Sequence, residues 1–165
     1  MRMKFFKIWF YFCAYIKLII FKITYGKRFS VGTHVTWRSN FKVMIDDKGK
    51  VIIGNNCFFN NDCSINSIQS IKIGDGTIFG EGVKIYDHNH RFSDLEKSIK
   101  SQGFVSAGVS IGSHCWLGSN VVVLKGSTIS DNCVIGAGVI VNGFIPANTI
   151  IKQNEYITEE IRTGN

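Results

Sequence analysis

One pattern limits this chain more than any other: from residue 105 to residue 145 an aliphatic residue returns at every sixth position. The series runs Val105, Ile111, Leu117, Val123, Ile129, Ile135 and Val141. Four positions after each stand Val109, Cys115, Val121, Ser127, Cys133, Val139 and Ile145, nearly all small or β-branched. An amphipathic helix needs apolar spacing near 3.6 residues, and that spacing is absent. A period of six suits one short flat face and its corner, three of which close a coil of about 18 residues. The aliphatic residue then fills the interior of each face and the small one fits beside the corner. Gly after the aliphatic position, at 112, 118 and 136, is expected to sit at the corner and relieve its backbone.

The register extends toward the N-terminus. Ile53, Phe59 and Ile65 carry Cys57 and Cys63 on the second phase; after a two-residue offset, Ile73, Phe79 and Ile85 carry Thr77 and Val83. Val31, Trp37 and Val43 carry Val35 and Phe41, and DDKGK at 46–50 reads as a turn. The expected fold is therefore all-β, a left-handed parallel β-helix of about six coils, with an N-terminal helix and one long excursion loop. We expect a hydrophobic basic segment over 1–28, the β-helix over 29–151 with its loop at 89–104, and a short tail over 152–165.

Charge is distributed unevenly. The formal net charge is +7, yet up to Lys42 there are nine Lys or Arg and no acid. Everything after Lys42 is slightly acidic, which argues against a uniformly basic nucleic-acid surface. The five Cys show no CxxC and no metal-like run; Cys57, Cys63, Cys115 and Cys133 fall on the inward phase and read as small buried thiols.

The front of the chain, FFKIWFYFCAYIKLIIFKI from Phe5 to Ile23, is dense in aromatic and aliphatic residues and interrupted by Lys7, Lys17 and Lys22. Its longest charge-free stretch, Ile8 to Ile16, is too short to span a bilayer without burying a lysine. No small-residue cleavage site follows it. The lysines do not share one helical face, but they alternate with rings that suit a headgroup layer. Three readings stay open for residues 1–24: a helix on a membrane surface, a helix packed on the protein or a partner subunit, and a true span.

Between His88 and Val105 the register breaks. HNHRFSDLEKSIKSQGF is polar and too long for a corner, so it leaves the coil as a loop. Asp87, His88, Asn89 and His90 cluster where it departs. Such a cluster is either a turn rich in Asp, Asn and His or a base near neutrality. Two His two apart also suit a metal, but no third ligand is evident. Trp116 follows the inward Cys115 and so points outward, where an indole buries nothing unless a ligand or a neighbouring subunit covers it. His34 and His114 read as ordinary surface.

The I-G-x-x-x-x repeat, the DHNHRF segment and VSIGSHCWLGSNVVVLKG together resemble the hexapeptide-repeat acyltransferases. The resemblance covers roughly residues 29–150 and is greatest to the branch that O-acetylates sugars, including galactoside, maltose, nodulation and polysaccharide acetyltransferases. It implies acetyl-CoA as donor with no metal, a sugar or lipid-linked saccharide as acceptor, a homotrimer with CoA between neighbouring β-helices, and no nucleic-acid partner. It implies His88 as general base, with Asp87 and His90 beside it at the acceptor. Asn60 of the FFNN run matches a family Asn that holds the acceptor or the His. Trp116 matches a family Trp near the pantetheine arm or acceptor, and the Ser119 amide a group that polarises the thioester oxygen. Lys125 and Lys152 are candidate neighbours of the CoA phosphates.

Proton transfer through His88 would need no acyl-enzyme. Asp87 is adjacent, but strand alternation could turn it away from His88, so a dyad is not assumed; Asp94 or Glu96, farther into the loop, could also orient the ring. Two departures from the family stand out. The chain after IPAN lacks the usual Gly-x-Pro-Ala closure, and its aromatic front shifts the expectation toward cell-surface polysaccharide or lipopolysaccharide biosynthesis, in the cytoplasm or at the inner face of the membrane. The competing functions are a noncatalytic β-helix scaffold in a membrane-associated assembly and a serine acetyltransferase, for whose long helical N-terminal domain there is no room. A γ-type carbonic anhydrase would need more zinc-spaced His.

Overall fold

The six-residue period becomes a three-faced parallel β-solenoid, seen in a computed structural model that describes residues 2–153. Residues 154–165, most of the tail, lie outside the described residues. The first face stacks Phe29–Val31, Val51–Ile53, Ile71–Ile73, Val109–Ile111, Thr128–Ile129 and Phe144–Ile145. The second stacks Thr36–Trp37, Phe58–Phe59, Ile78–Phe79, Trp116–Leu117, Val134–Ile135 and Ile150–Ile151. The third stacks Lys42–Ile45, Ser64–Ser67, Lys84–Tyr86, Val122–Val123 and Ile140–Val141. All stacked pairs are parallel, so each coil hydrogen-bonds the coil on either side.

Both phases of the repeat point inward. Ile53, Ile73, Ile111 and Ile129 form one buried column, and Cys57, Thr77, Cys115 and Cys133 form another. The small phase is also a corner clasp: Cys57 Sγ donates to the Gly74 carbonyl at 3.1 Å, Thr77 Oγ1 to Gly112 at 2.8 Å and Cys133 Sγ to Pro146 at 3.1 Å. Burial pushes the Cys63 thiol up to about 11, which keeps it protonated and able to donate. In the N-terminal half of the shaft rings replace some of the aliphatics; Phe59 and Phe79 stack at 4.3 Å between centroids.

Three expectations are corrected. The glycines after the aliphatic position are not left-handed corner residues; a Cβ on Gly112 would lie 2.6 Å from the Asp131 nitrogen, and one on Gly118 2.6 Å from that of Ala137, so these glycines allow stacked coils to approach. The left-handed positions come just before the small phase; they hold His34, Asn40, Asn56, Asp62, His114, Asn120 and Asn132 at φ between 54° and 61°, and Gly76, Gly82, Gly126 and Gly138 at φ between 66° and 76°. His34 and His114 are thus corner residues. Second, Val105 is not in the shaft: it lies in a strand that pairs outside it, opposite Asn89. Third, Ile145 belongs to the aliphatic column, opposite Ile129.

Every irregularity falls at the third corner, where the third face returns to the first. Successive coils are offset by 22, 20, 38, 18 and 16 residues, as the partners Thr33–Asn55, Asn55–Asp75, Asp75–Ser113, Ser113–Asp131 and Asn132–Asn148 show. The faces cannot change length without breaking the ladder, so insertions collect at one edge.

Helix α1, Arg2–Tyr25, closes the open end of the shaft. Phe21 is buried against Phe29, Trp37 and Phe41, with centroids 5.5 to 6.1 Å away. The first coil has no coil beneath it, and side chains of the helix and its end satisfy the carbonyls left over: Lys17 Nζ reaches Phe41 O at 2.7 Å, Tyr25 Oη Val43 O at 2.8 Å, and Arg28 Nη1 Asp46 O at 2.8 Å. Lys17 is therefore not a lipid-facing amine; its pKa is lowered, first by burial and then by Lys42. No helix among the described residues is long and apolar enough to cross a membrane.

Candidate active site

The excursion at the third corner opens as a two-stranded antiparallel ribbon, His88–His90 against Phe104–Ser106. Its ends therefore have fixed register, unlike the uninterrupted loop expected over 89–104. The chain bends at Asp87 as it leaves the coil, and that bend breaks strand alternation. The Asp87 carboxylate stays at the shaft, fully buried, while His88 stands at the surface with its side chain 19% exposed.

The two meet: His88 Nδ1 lies 3.0 Å from Asp87 Oδ1, so the dyad that alternation left open is present. Three more donors hold the carboxylate, the Ile68 and Gln69 backbone N–H groups at 2.9 Å each and Ser67 Oγ at 2.7 Å. Burial alone would raise the Asp87 pKa, but these bonds and the one from His88 outweigh it and hold the pKa below the usual carboxylate range. An ionised Asp87 can only accept, so the hydrogen on a neutral His88 belongs on Nδ1 and the lone pair on Nε2. The ring is braced edge-on by Phe104, 5.2 Å away at 87°.

His88 borders a cleft of about 470 Å³ whose walls include Tyr25, Met44, Asp46, Asn66, Tyr86 and Phe104. Met44, Asn66 and Tyr86 are one outward column of the third face, in register through three coils. Sequence reasoning missed them, although each directly follows an inward residue of the period, Val43, Ile65 or Ile85.

Other expected residues lie elsewhere. Asp87, buried completely, cannot touch an acceptor, and its place in the substrate-binding set is corrected to that of an orienting group behind His88. His90 is exposed, packs on Phe104 at 4.6 Å and does not line the cleft. Asp94 bonds Lys97 at 2.7 Å and Glu96 bonds Asp94 through its backbone, so neither orients the His88 ring. Asn60 and Ser119 sit at the second corner, between the second and third faces; Asn60 Oδ1 accepts from the Asn61 N–H at 2.9 Å. Trp116 stands 53% exposed on the second face, and Lys125 is at the third corner one coil beyond the excursion. One protomer thus separates Asn60, Trp116 and Ser119 from His88. Among the described residues no group of three or more His, Cys, Asp or Glu is placed to hold a metal ion.

The second corner has one further property. At the first corner a side chain of the following coil accepts the backbone N–H of Thr33, Asn55, Asp75 and Ser113 in turn. The equivalent partner of Ser119 is Ala137, whose methyl accepts nothing, and among the described residues the Ser119 N–H has no acceptor, as is true of the Ser39 and Glu81 N–H groups at the same corner.

A family model for bacterial transferase hexapeptide (six repeats) matches residues 108–143. The putative lipopolysaccharide biosynthesis O-acetyl transferase WbbJ of Escherichia coli (strain K12) is 34% identical over 136 residues, covering 78% of this chain and 66% of the relative. The chain belongs to the hexapeptide-repeat acyltransferase family. Among solved members, a maltose O-acetyltransferase from Clostridium difficile 630 superposes with a TM-score of 0.59 at 32% identity, over 72% of this chain and 64% of that one. A galactoside acetyltransferase in complex with coenzyme A superposes with a TM-score of 0.53 at 30% identity, over 74% and 60%. This hexapeptide-repeat chain spans 34% to 66% of the length of the first curated relatives it matches.

Proposed function

We propose that the protein is an acetyl-CoA-dependent O-acetyltransferase acting on a sugar hydroxyl in the assembly of a surface polysaccharide or lipopolysaccharide. The observation that carries this reading is the fixed tautomer of His88, which leaves Nε2 as a base at the edge of a cleft. Family membership supports the donor, and the similarity to WbbJ and to the maltose and galactoside acetyltransferases supports the acceptor class.

The bound thioester supplies the acetyl group and a thiolate leaving group. His88 Nε2 takes the proton of the acceptor hydroxyl as its oxygen attacks the thioester carbonyl, and returns that proton to the departing sulfur. Asp87 stabilises the imidazolium between these two events without itself gaining a proton. The Ser119 N–H is a donor for the developing oxyanion. Asn66 and Tyr86 offer polar groups for sugar hydroxyls and Phe104 an apolar wall. Trp116, exposed beside Ile78 and Val134, suits the pantetheine arm, and Lys125 a phosphate.

His88 and Ser119 lie at different corners, so this mechanism requires a homotrimer in which the third corner of one protomer faces the second corner of the next. Large apolar side chains exposed on the excursion, Phe92, Leu95 and Ile99, support such a contact. The test is release of CoA across sugar and nucleotide-sugar acceptors, with His88→Ala beside the unmodified protein. We expect kcat to fall about 10²- to 10⁴-fold with the trimer and its melting temperature preserved. A variant as fast as the original would remove His88 as base, and no turnover with any acceptor would favour the noncatalytic scaffold.

A further inference from the structure

We propose that the outward face of α1 docks the protein on an anionic lipid surface, and that the acceptor reaching the His88 cleft is carried by that surface. The second statement rests on the acyl-transfer reading; the first stands without it.

Helix α1 is apolar on two opposite sides. Ala14, Leu18, Phe21 and Tyr25 pack on the first coil. On the other side Phe12, Ile16, Ile19 and Ile23 follow one another at helical spacing, flanked by Trp9 and Ile20, and all six are exposed, Ile23 by 79%. Hydrophobicity on both sides is why the lysines defeat a simple amphipathic pattern. One apolar side is buried by the shaft, and a second of this size calls for its own apolar environment.

Charge selects that environment. The first 42 residues carry nine basic groups and no acid, and Lys22 and Lys27 are exposed at the end of the helix nearest the body. A second copy of the same face would bring like charges together, whereas anionic headgroups would neutralise them. Trp9 and Tyr15 carry rings suited to the headgroup boundary. The helix would lie in the interface, since it cannot span.

The docking face also leads to the chemistry. Tyr25, two residues beyond Ile23 and so about 3 Å further along the helix axis, is itself a wall of the His88 cleft. Tyr25 lies on the side of α1 opposite Ile23, so a saccharide attached to a lipid carrier would reach the cleft around the end of the helix, across a width of about 10 Å.

The test is flotation of the full chain with vesicles of phosphatidylcholine alone or mixed equally with phosphatidylglycerol. Binding to the mixed vesicles is expected to exceed binding to the neutral ones by about tenfold or more. Replacing the stripe by Ile16→Ser, Ile19→Ser and Ile23→Ser should lower it by about 100-fold or more. Lys22→Glu with Lys27→Glu leaves the apolar contacts intact and should abolish the preference for anionic lipid; circular dichroism verifies that each variant folds. Flotation unchanged by the serine variant, or none by the original protein, would overturn docking. So would a larger assembly that fails to float and that the serine variant reduces in size, because a second copy would then cover the stripe.

CoA release with a polyprenyl-linked saccharide in the vesicle and with the same saccharide free in solution tests the acceptor. Selective loss of the first in the serine variant supports a lipid-borne acceptor, and equal rates on both overturn it. Absence of CoA release with either would instead strike the acyl-transfer reading and leave docking to the flotation result.

Discussion

The first corner of the solenoid and the two others use the same backbone differently. At the first, Asn55, Asp75, Ser113 and Asp131 form a ladder in which each side chain accepts the amide of the preceding coil. Asp75 there and Asp87 at the third corner are held below the usual carboxylate range, Asp75 first by the Asn55 backbone N–H and Asp87 by its bonds against burial. The exposed Asp75 serves its own ladder; the buried Asp87 accepts two backbone amides and also orients a histidine. At the second corner no such ladder forms: among the described residues the amides of Ser39, Glu81 and Ser119 have no acceptor, and the Asn61 amide bonds Asn60 of its own coil. The closed corner ties the coils together, and the open one leaves backbone donors free, of which the Ser119 amide is one.

The comparison breaks most visibly at Asp87. Asp87→Asn keeps the shape but offers an NH₂ that can donate to Nδ1, shifting the imidazole hydrogen to Nε2 and removing the lone pair from the cleft. We expect kcat to fall about 10²- to 10⁴-fold with little change in KM. The imidazole ¹⁵N shifts, which separate the tautomers, would show whether the loss is one of orientation. Unchanged shifts alongside lost activity would mean that Asp87 acts only through packing.

The second corner can be rebuilt as a copy of the first. Ala137 stands to Ser119 as Asp131 stands to Ser113, so Ala137→Asp should place a carboxylate over the Ser119 amide. The fold should keep its stability, while kcat falls about 10²-fold or more because the oxyanion donor is now occupied. Full activity in a correctly folded variant would remove Ser119 from the mechanism.

Ser67→Ala takes one donor from Asp87, an effect of about 1.5–3 kcal/mol for a bond to a charged group. The sign follows from the depressed pKa. Asp87 contributes stability that is fully present above the ordinary carboxylate range and is lost as pH falls through its folded pKa. With one donor gone that pKa moves up, so acid unfolding of the variant should begin at higher pH, as a melting series against pH would record.

The shaft was legible because a solenoid is close to one-dimensional: each coil meets only its neighbours, and the period is written into Ile111, Leu117, Val123 and Ile129. The third corner was legible too, as the place where the register slips. The corners themselves were misread because Gly112 and Gly118 draw attention, while the left-handed residues are a recurring Asn, Asp, His or a different set of Gly one place before the small phase. The dyad was left open because alternation was carried through Asp87, where the chain bends. Tyr25, Met44 and Asn66 reach the cleft from a helix and two earlier coils, contacts across 18 or more residues that no local pattern announces.

The smallest expected effect tests the closed side of the comparison. Asp131→Ala removes the acceptor 2.7 Å from the Ser113 amide and leaves the corner as open as the one at Ser119. Because Ser113 is not among the residues that line the His88 cleft, stability should drop by about 0.5–1.5 kcal/mol while kcat stays unchanged. Thermal melting measures the first and CoA release the second. A fall in kcat would mean that the first corner also contributes to the site. Unchanged melting would mean that water satisfies an open corner as well as a carboxylate does, so the open Ser119 amide would reflect no selection for an unoccupied donor.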